Sequence, residues 1–235
     1  MQKFLDLLRW GDGGWLDELA SGIAITIGLA VATLPLGIVA GFFVALGRQS
    51  SDPLVRLSAR LYTTVFRALP ELLTLFIVYY GSQYLVSTVV AALFHSEFEI
   101  SPFIAGMVAL GLVFSGYAGE VFLSAFRAIH AEQFESGYAL GLRRRQVLRL
   151  VILPQLVRLA LPGLSNQWLL LLKDTSLVSV ITLNDIIRQT QVAVASTKQP
   201  FFFFAVACLI YLVISLVSSA GIGRVERWAS RGLKQ

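Results

Sequence analysis

The sequence predicts an all-α membrane protein with about five transmembrane helices. Three observations predict it. The 235 residues are 56% hydrophobic and only 14% charged, where soluble domains carry roughly 25% charged residues. The mean hydropathy is +0.73. About five stretches are long and apolar enough to cross a bilayer, which takes ~20 residues of helix. Too little polar side chain remains to cover a water-facing surface, and lipid is the solvent that tolerates this. The whole chain, 1–235, is read as a single transmembrane domain.

The first predicted span covers residues 19–46, the second 61–93, the third 102–126, the fourth 151–181 and the fifth 201–222. The fourth is the most interrupted, holding Arg158, Pro162, Asn166, Lys173 and Asp174. Polar connectors separate them: a basic one at 47–60, an acidic one at 95–101 with Glu97 and Glu99, a charged helical segment at 127–150, and a polar one at 182–200. Residues 1–18 mix charge with Trp10 and Trp15 and lack the continuous apolar run of a cleavable signal. No soluble domain, low-complexity tract or internal repeat is evident.

Orientation follows from Lys and Arg. One set of connectors holds Arg48, Arg56 and Arg60, then Arg127, Arg143, Arg144, Arg145 and Arg149, then Arg224, Arg227, Arg231 and Lys234. The opposite side keeps Lys3, Arg9, Arg188 and Lys198. Positive charge stays inside, so the N-terminus is expected to be periplasmic and the C-terminus cytoplasmic, in a bacterial inner membrane. The net charge of +5 is topological on this reading. No aromatic-basic surface module points to nucleic acid.

Gly37 and Gly41 form a G-x-x-x-G step, and Ser115, Gly116 and Gly119 cluster in the third span. Such residues let helix backbones approach closely in lipid, and internal packing is the expected use. Cys208 lies in an apolar run and is read as a small buried hydrophobe. His95 and His130 lack a second His or Cys at ligand spacing, so neither a metal nor another cofactor is expected.

The most informative segment begins at Glu135 and runs Ser136, Gly137, Tyr138, Ala139, Leu140, Gly141, followed by Arg143, Arg144 and Arg145, then Ile152, Leu153 and Pro154. It reads as a short amphipathic helix whose small residues Ser136, Gly137 and Ala139 leave room for another surface. Gly141 is suited to end it in a left-handed conformation. Pro154 is expected in the first turn of the next membrane helix.

This segment resembles the cytoplasmic signature loop of bacterial ABC importer permeases: Glu, two small residues, Gly four positions later, and a hydrophobic-x-Pro tail. Ser136-Gly137 stands where that family usually has Ala-Ala. Three further stretches are similar to the polar amino-acid members, of histidine/octopine permease type. They are Phe66-Arg67-Ala68-Leu69-Pro70-Glu71, Gly116-Tyr117-Ala118-Gly119-Glu120 and Lys173-Asp174-Thr175-Ser176-Leu177. In the first, Arg67 is expected at the membrane boundary and Pro70 in the opening turn of the second span.

The resemblance implies a type I ABC importer permease fold and one channel-forming half of an ATP-driven importer of basic or opine-like amino acids. It implies two copies of an ATP-binding subunit docked on the loop at 127–150, a periplasmic solute-binding protein, and a second permease subunit, expected to be a paralogue. The chain holds no G-x-x-x-x-G-K-[ST] phosphate loop, so it is expected to be a transport subunit and not an enzyme. Glu71, Glu120, Asn166, Lys173, Asp174, Thr175 and Ser176 are the candidates for a solute path or a bracing polar network. Charge at bilayer depth costs about 2.5–3.5 kcal/mol on insertion scales and needs partners or water. Lys173 and Asp174 point in different helical directions and are expected to reach Glu120 or Glu71. Arg188 and Gln189 are expected to face the binding protein. The alternative is a secondary carrier or channel for small polar solutes.

Overall fold

The computed structural model describes residues 7–11, 13–94 and 99–230. Lys3, His95, Glu97, Arg231 and Lys234 lie outside the described residues. Among the described residues, four helices are long and apolar enough to cross a membrane, or up to five if one bent pair counts as a single span.

Helix α1 (Leu16–Arg48) is the first span. Pro35 sits inside it and deprives the Val31 carbonyl of its helical donor. Its small residues meet α4 (Pro102–Ala128). A Cβ on Gly37 would overlap the Phe114 ring, and one on Gly41 would lie 2.7 Å from Ala118 Cβ. The G-x-x-x-G step is therefore internal packing, as its sequence suggested. Gly106 lies near Leu29, while Gly41 meets Ala118, so α1 and α4 run parallel and end on the same side.

Helix α2 (Pro53–Ala68) opens on Asp52, whose side chain accepts from the Leu54 N–H. Pro53 supplies the preset first turn. Helix α3 (Glu71–Phe94) follows. Continuity of the second span across 61–93 is not what the structure contains. The α2 axis meets that of α3, over Glu71–Thr88, at 109°. The cause is local: the ring of Pro70 disfavours helical geometry at the residue before it, and Leu69 is extended, with φ −77° and ψ 140°. The basic connector at 47–60 is accordingly part helix.

Helix α5 (Ala131–Ala139) is short. Helix α6 opens as Arg144–Gln146, loosens to a π turn over Val147–Ile152, and continues as Leu153–Asp174. Pro154 therefore sits just past the π turn of a helix already running, not in the first turn of a new one. A 3-10 segment, Thr175–Ile181, extends α6 until Thr182 turns left-handed at φ 68°.

Helix α7 (Ile186–Thr197) occupies the connector read as merely polar. Asp185 caps it, accepting from the N–H groups of Ile187 and Arg188. The Ile186 N–H donates instead to Thr26 Oγ1 of α1 at 3.3 Å. A Cβ on Gly22, one turn before Thr26, would lie 3.0 Å from the Asp185 backbone. Gly22 and Thr26 thus form the seat on which α7 docks. Helix α8 (Pro200–Ser230) closes the order. Much of it faces outward, with Phe201, Leu209, Leu216 and Val217 exposed. Cys208 is exposed there too, correcting its reading as buried. The core lies along α1, α4 and α6, around Leu29, Phe114, Ala118, Phe122, Ile152, Leu156 and Leu172.

Candidate functional site

Three cavities follow one another along the face shared by α4 and α6. The first, about 240 Å³, is lined by Glu71, Phe114, Tyr117, Gln167, Leu170 and Asp174 among others. The second, about 490 Å³, holds Arg67, Tyr117, Glu120, Ser124, Gly163 and Gln167. Tyr117 and Gln167 line both. The third, about 170 Å³, shares Ala128 and Leu159 with the second and reaches His130, Gln133, Gln155 and Arg158. On α4 the lining residues Val113, Tyr117, Glu120, Ser124 and Ala128 recur at helical spacing, one face of one helix.

Glu120 pairs with Arg48 and Arg67, not with Lys173 or Asp174. Arg48 Nη1 lies 2.7 Å from Glu120 Oε1, and Arg67 Nη1 3.3 Å from the same oxygen. Arg48 also donates to Thr63 Oγ1 at 2.7 Å. The Arg67 guanidinium stands over the Tyr117 ring, 5.4 Å from its centroid. Arg67, expected at a membrane boundary, lines the second cavity, in the last turn of α2. Pro70 gives its carbonyl to the first bond of α3, from the Thr74 N–H.

The remaining candidates separate. Glu71 and Asp174 face one cavity. Lys173 and Ser176 line a different groove, with Tyr211, Leu212 and Cys208 of α8, so the neighbours do diverge as helical geometry requires. Thr175 is buried and donates to the Leu172 carbonyl at 2.7 Å. Asn166 is exposed on α6, while Gln167 beside it faces the cavities. Arg48, Arg67, Tyr117 and Gln167 are missing from the sequence-based candidates for the path. Tyr117 at i−3 from Glu120 and Gln167 at i−7 from Asp174 carried a same-face signal. Arg188 and Gln189 are half-buried on α7.

At one end of this face stands α5. Its C-terminus is a complete Schellman motif: the Leu142 N–H donates to the Gly137 carbonyl at 3.2 Å and the Gly141 N–H to that of Tyr138 at 2.9 Å. Gly141 holds φ 75°, a conformation that favours glycine. Glu135, Ser136, Tyr138, Ala139 and Leu140 are exposed. Gly137 is buried against Val147 of the π turn, so its small size serves internal packing as well. The Gln155 side chain donates to Gln133 Oε1 at 3.1 Å, a second tie from α6 to α5. Ile152 is fully buried, Leu153 packs on the core, and Pro154 is exposed.

Residues 35–231 match the family of binding-protein-dependent transport system inner membrane components. The chain belongs to that family. It is 41% identical to the nopaline transport system permease protein of Agrobacterium fabrum over 232 residues, 98% of each chain. It is 37% identical to the arginine ABC transporter permease protein of Escherichia coli strain K12, over 91% of this chain and 95% of the relative. Among solved structures it is similar to an amino acid ABC transporter with histidines, at TM-score 0.80 and 28% identity, over 95% of this chain and 97% of that one. The fold is that of type I ABC importer permeases, multi-pass and all-helical, as the sequence predicted. A member of this family is a transport subunit of the inner membrane.

Proposed function

We propose that the chain is the channel-forming permease subunit of an ATP-driven importer of polar amino acids, of basic or opine type, folded as one transmembrane domain. The carrying observation is that Glu71 and Asp174 share one cavity, which adjoins at Tyr117 and Gln167 the second of the row that leads toward α5. Two carboxylates at one site suit a cationic side chain. The names of the nopaline and arginine relatives agree with that class.

On this reading the α1–α2 turn, α5 and the C-terminus are cytoplasmic and the N-terminus periplasmic. Clustered arginines at Arg48, Arg56, Arg60 and Arg143 to Arg145 support it, as does the parallel course of α1 and α4. Glu135, Ser136, Gly137, Ala139 and Gly141, braced by Ile152, Leu153 and Pro154, form the loop that docks a separate ATP-binding subunit, two copies per complex. A second, paralogous permease completes the path and a periplasmic protein delivers solute. Closure of the ATPase pushes α5, and the π turn passes the movement to α6, which carries Gln167 and Asp174.

The test is ATP-dependent uptake of arginine, lysine, histidine and opines into proteoliposomes holding the complex isolated through a tag on this chain. Uptake of cationic solutes that falls at least about tenfold in Glu71→Gln/Asp174→Asn is expected. Uptake that runs on an ion gradient without ATP, or that ignores the double change, would overturn the proposal.

A further inference from the structure

We propose that Arg67 receives the carboxylate of the transported amino acid, so that the two adjoining cavities read the solute at both ends. This rests on the proposed function and assigns a specificity-determining residue within it.

Two cations share one anion at the wall of the second cavity, where Arg67 and Glu120 line the space and Arg48 stands behind them. Arg48 holds Glu120 Oε1 at 2.7 Å, is itself braced by Thr63 at 2.7 Å, and keeps only 15% of its side chain exposed. Arg67 reaches the same oxygen at 3.3 Å and is 44% exposed. Glu120 is thus held by Arg48 without Arg67, and the Arg48–Glu120–Arg67 cluster carries one positive charge in excess. That charge is presented by Arg67. Its planar fork of donors matches a carboxylate. Tyr117 beneath it, 5.4 Å from guanidinium carbon to ring centroid, limits its orientations.

Charge order along the path completes the case. Glu71 and Asp174 come first, then the aromatic and amide wall of Tyr117 and Gln167, then Arg67 beside Glu120, whose charge Arg48 holds. An α-amino acid with a cationic side chain carries the complementary order: cation at one end, carboxylate at the other. It fits with the side chain toward the acidic pair and the carboxylate toward Arg67. Arg158 lines the next cavity, so positive charge continues on the carboxylate's side. A neutral amino acid lacks the first contact and a decarboxylated amine lacks the second.

The test uses the intact complex in lipid nanodiscs without binding protein, and two probes, L-arginine and agmatine, which differ by the carboxylate. Wild type is expected to prefer arginine by roughly 10–100-fold, the range of a charged hydrogen-bond pair. Arg67→Gln is expected to erase the preference by weakening arginine alone, and Arg67→Lys to keep part of it. Unchanged elution and thermal midpoint of both variants separate recognition from folding. A preference that persists in Arg67→Gln, or equal loss of both probes, overturns the inference while leaving the acidic site standing. Failure of wild type to bind either probe, or binding of both unchanged in Glu71→Gln/Asp174→Asn, overturns the site itself and the inference with it.

Discussion

A Cβ added to Gly137 would lie 2.9 Å from Val147 Cγ2, so the exposed helix α5 rests on the π turn of α6 through the smallest residue available. Gly137→Val forces α5 off that turn, and overpacking of this kind costs about 1–3 kcal/mol. Gly137→Ala nearly breaks even, because about 1 kcal/mol of helix propensity is regained. Truncating the obstacle with Val147→Ala is expected to restore the Gly137→Val protein. The measurement is solute-stimulated ATP hydrolysis by the reconstituted complex. No recovery in the double variant would show that Val147 is not the point of transmission.

Leu140 is 79% exposed and Tyr138 47% exposed at the tip of α5, apolar surface at the end of the bundle where arginines gather. Such surface calls for a covering partner. Leu140→Asp should lower recovery of the ATP-binding subunit with the tagged permease at least about tenfold, as a hot-spot loss does. The side chain touches little of its own chain, so the permease's elution from a sizing column stays unchanged. Full retention of the ATPase would place the docking surface elsewhere.

The spans were legible because bilayer thickness demands long apolar runs, and composition cannot hide them. The break between α2 and α3 was not, although Leu69-Pro70 was in plain view. Hydropathy averages over about 19 residues and passes over a two-residue turn whose flanks are both apolar. The divergence of Lys173 and Asp174 was readable from helical rotation alone. The Arg48–Glu120 pair was not, since its members stand 72 positions apart. They meet because Gly41 lets α1 lie parallel to α4 at Ala118. The Gly141 terminus was legible as a local rule of backbone geometry, whereas the contact of Gly137 with Val147 needed the fold.

Glu120 faces two arginines, and its removal leaves the largely buried Arg48 and the more exposed Arg67 without a carboxylate partner. Breaking buried pairs costs about 3–5 kcal/mol. Here the cost is nearer 1–3 kcal/mol, because Arg67 stays partly solvated. Glu120→Ala is expected to lower the thermal midpoint of the purified complex by about 5 °C. Arg67→Gln should move it by no more than about 1–2 °C, since Arg48 still holds Glu120. Equal losses in the two variants would mean that Arg67 is structural and not the spare cation.

Asp185 is fully buried at the N-terminus of α7. Burial pushes its carboxyl up to about 6, partly opposed by the N–H groups of Arg188 and Ile187 and by the Arg188 charge. The folded state therefore binds the proton more tightly than the unfolded chain, whose carboxyl titrates near 3.8. Its contribution to stability is full below about pH 4 and is lost as pH rises through about 6. Asp185→Asn keeps one oxygen to accept the shorter capping bond, from the Arg188 N–H, and removes the buried charge. Its thermal midpoint should exceed that of wild type at pH 7.5, with the gain shrinking toward pH 4. Asp185→Ala, which loses the cap, should fall below wild type at pH 4 by about 1 kcal/mol. A gain for Asp185→Asn that is the same at pH 4 and pH 7.5 would mean that the buried charge is not what strains this end of α7.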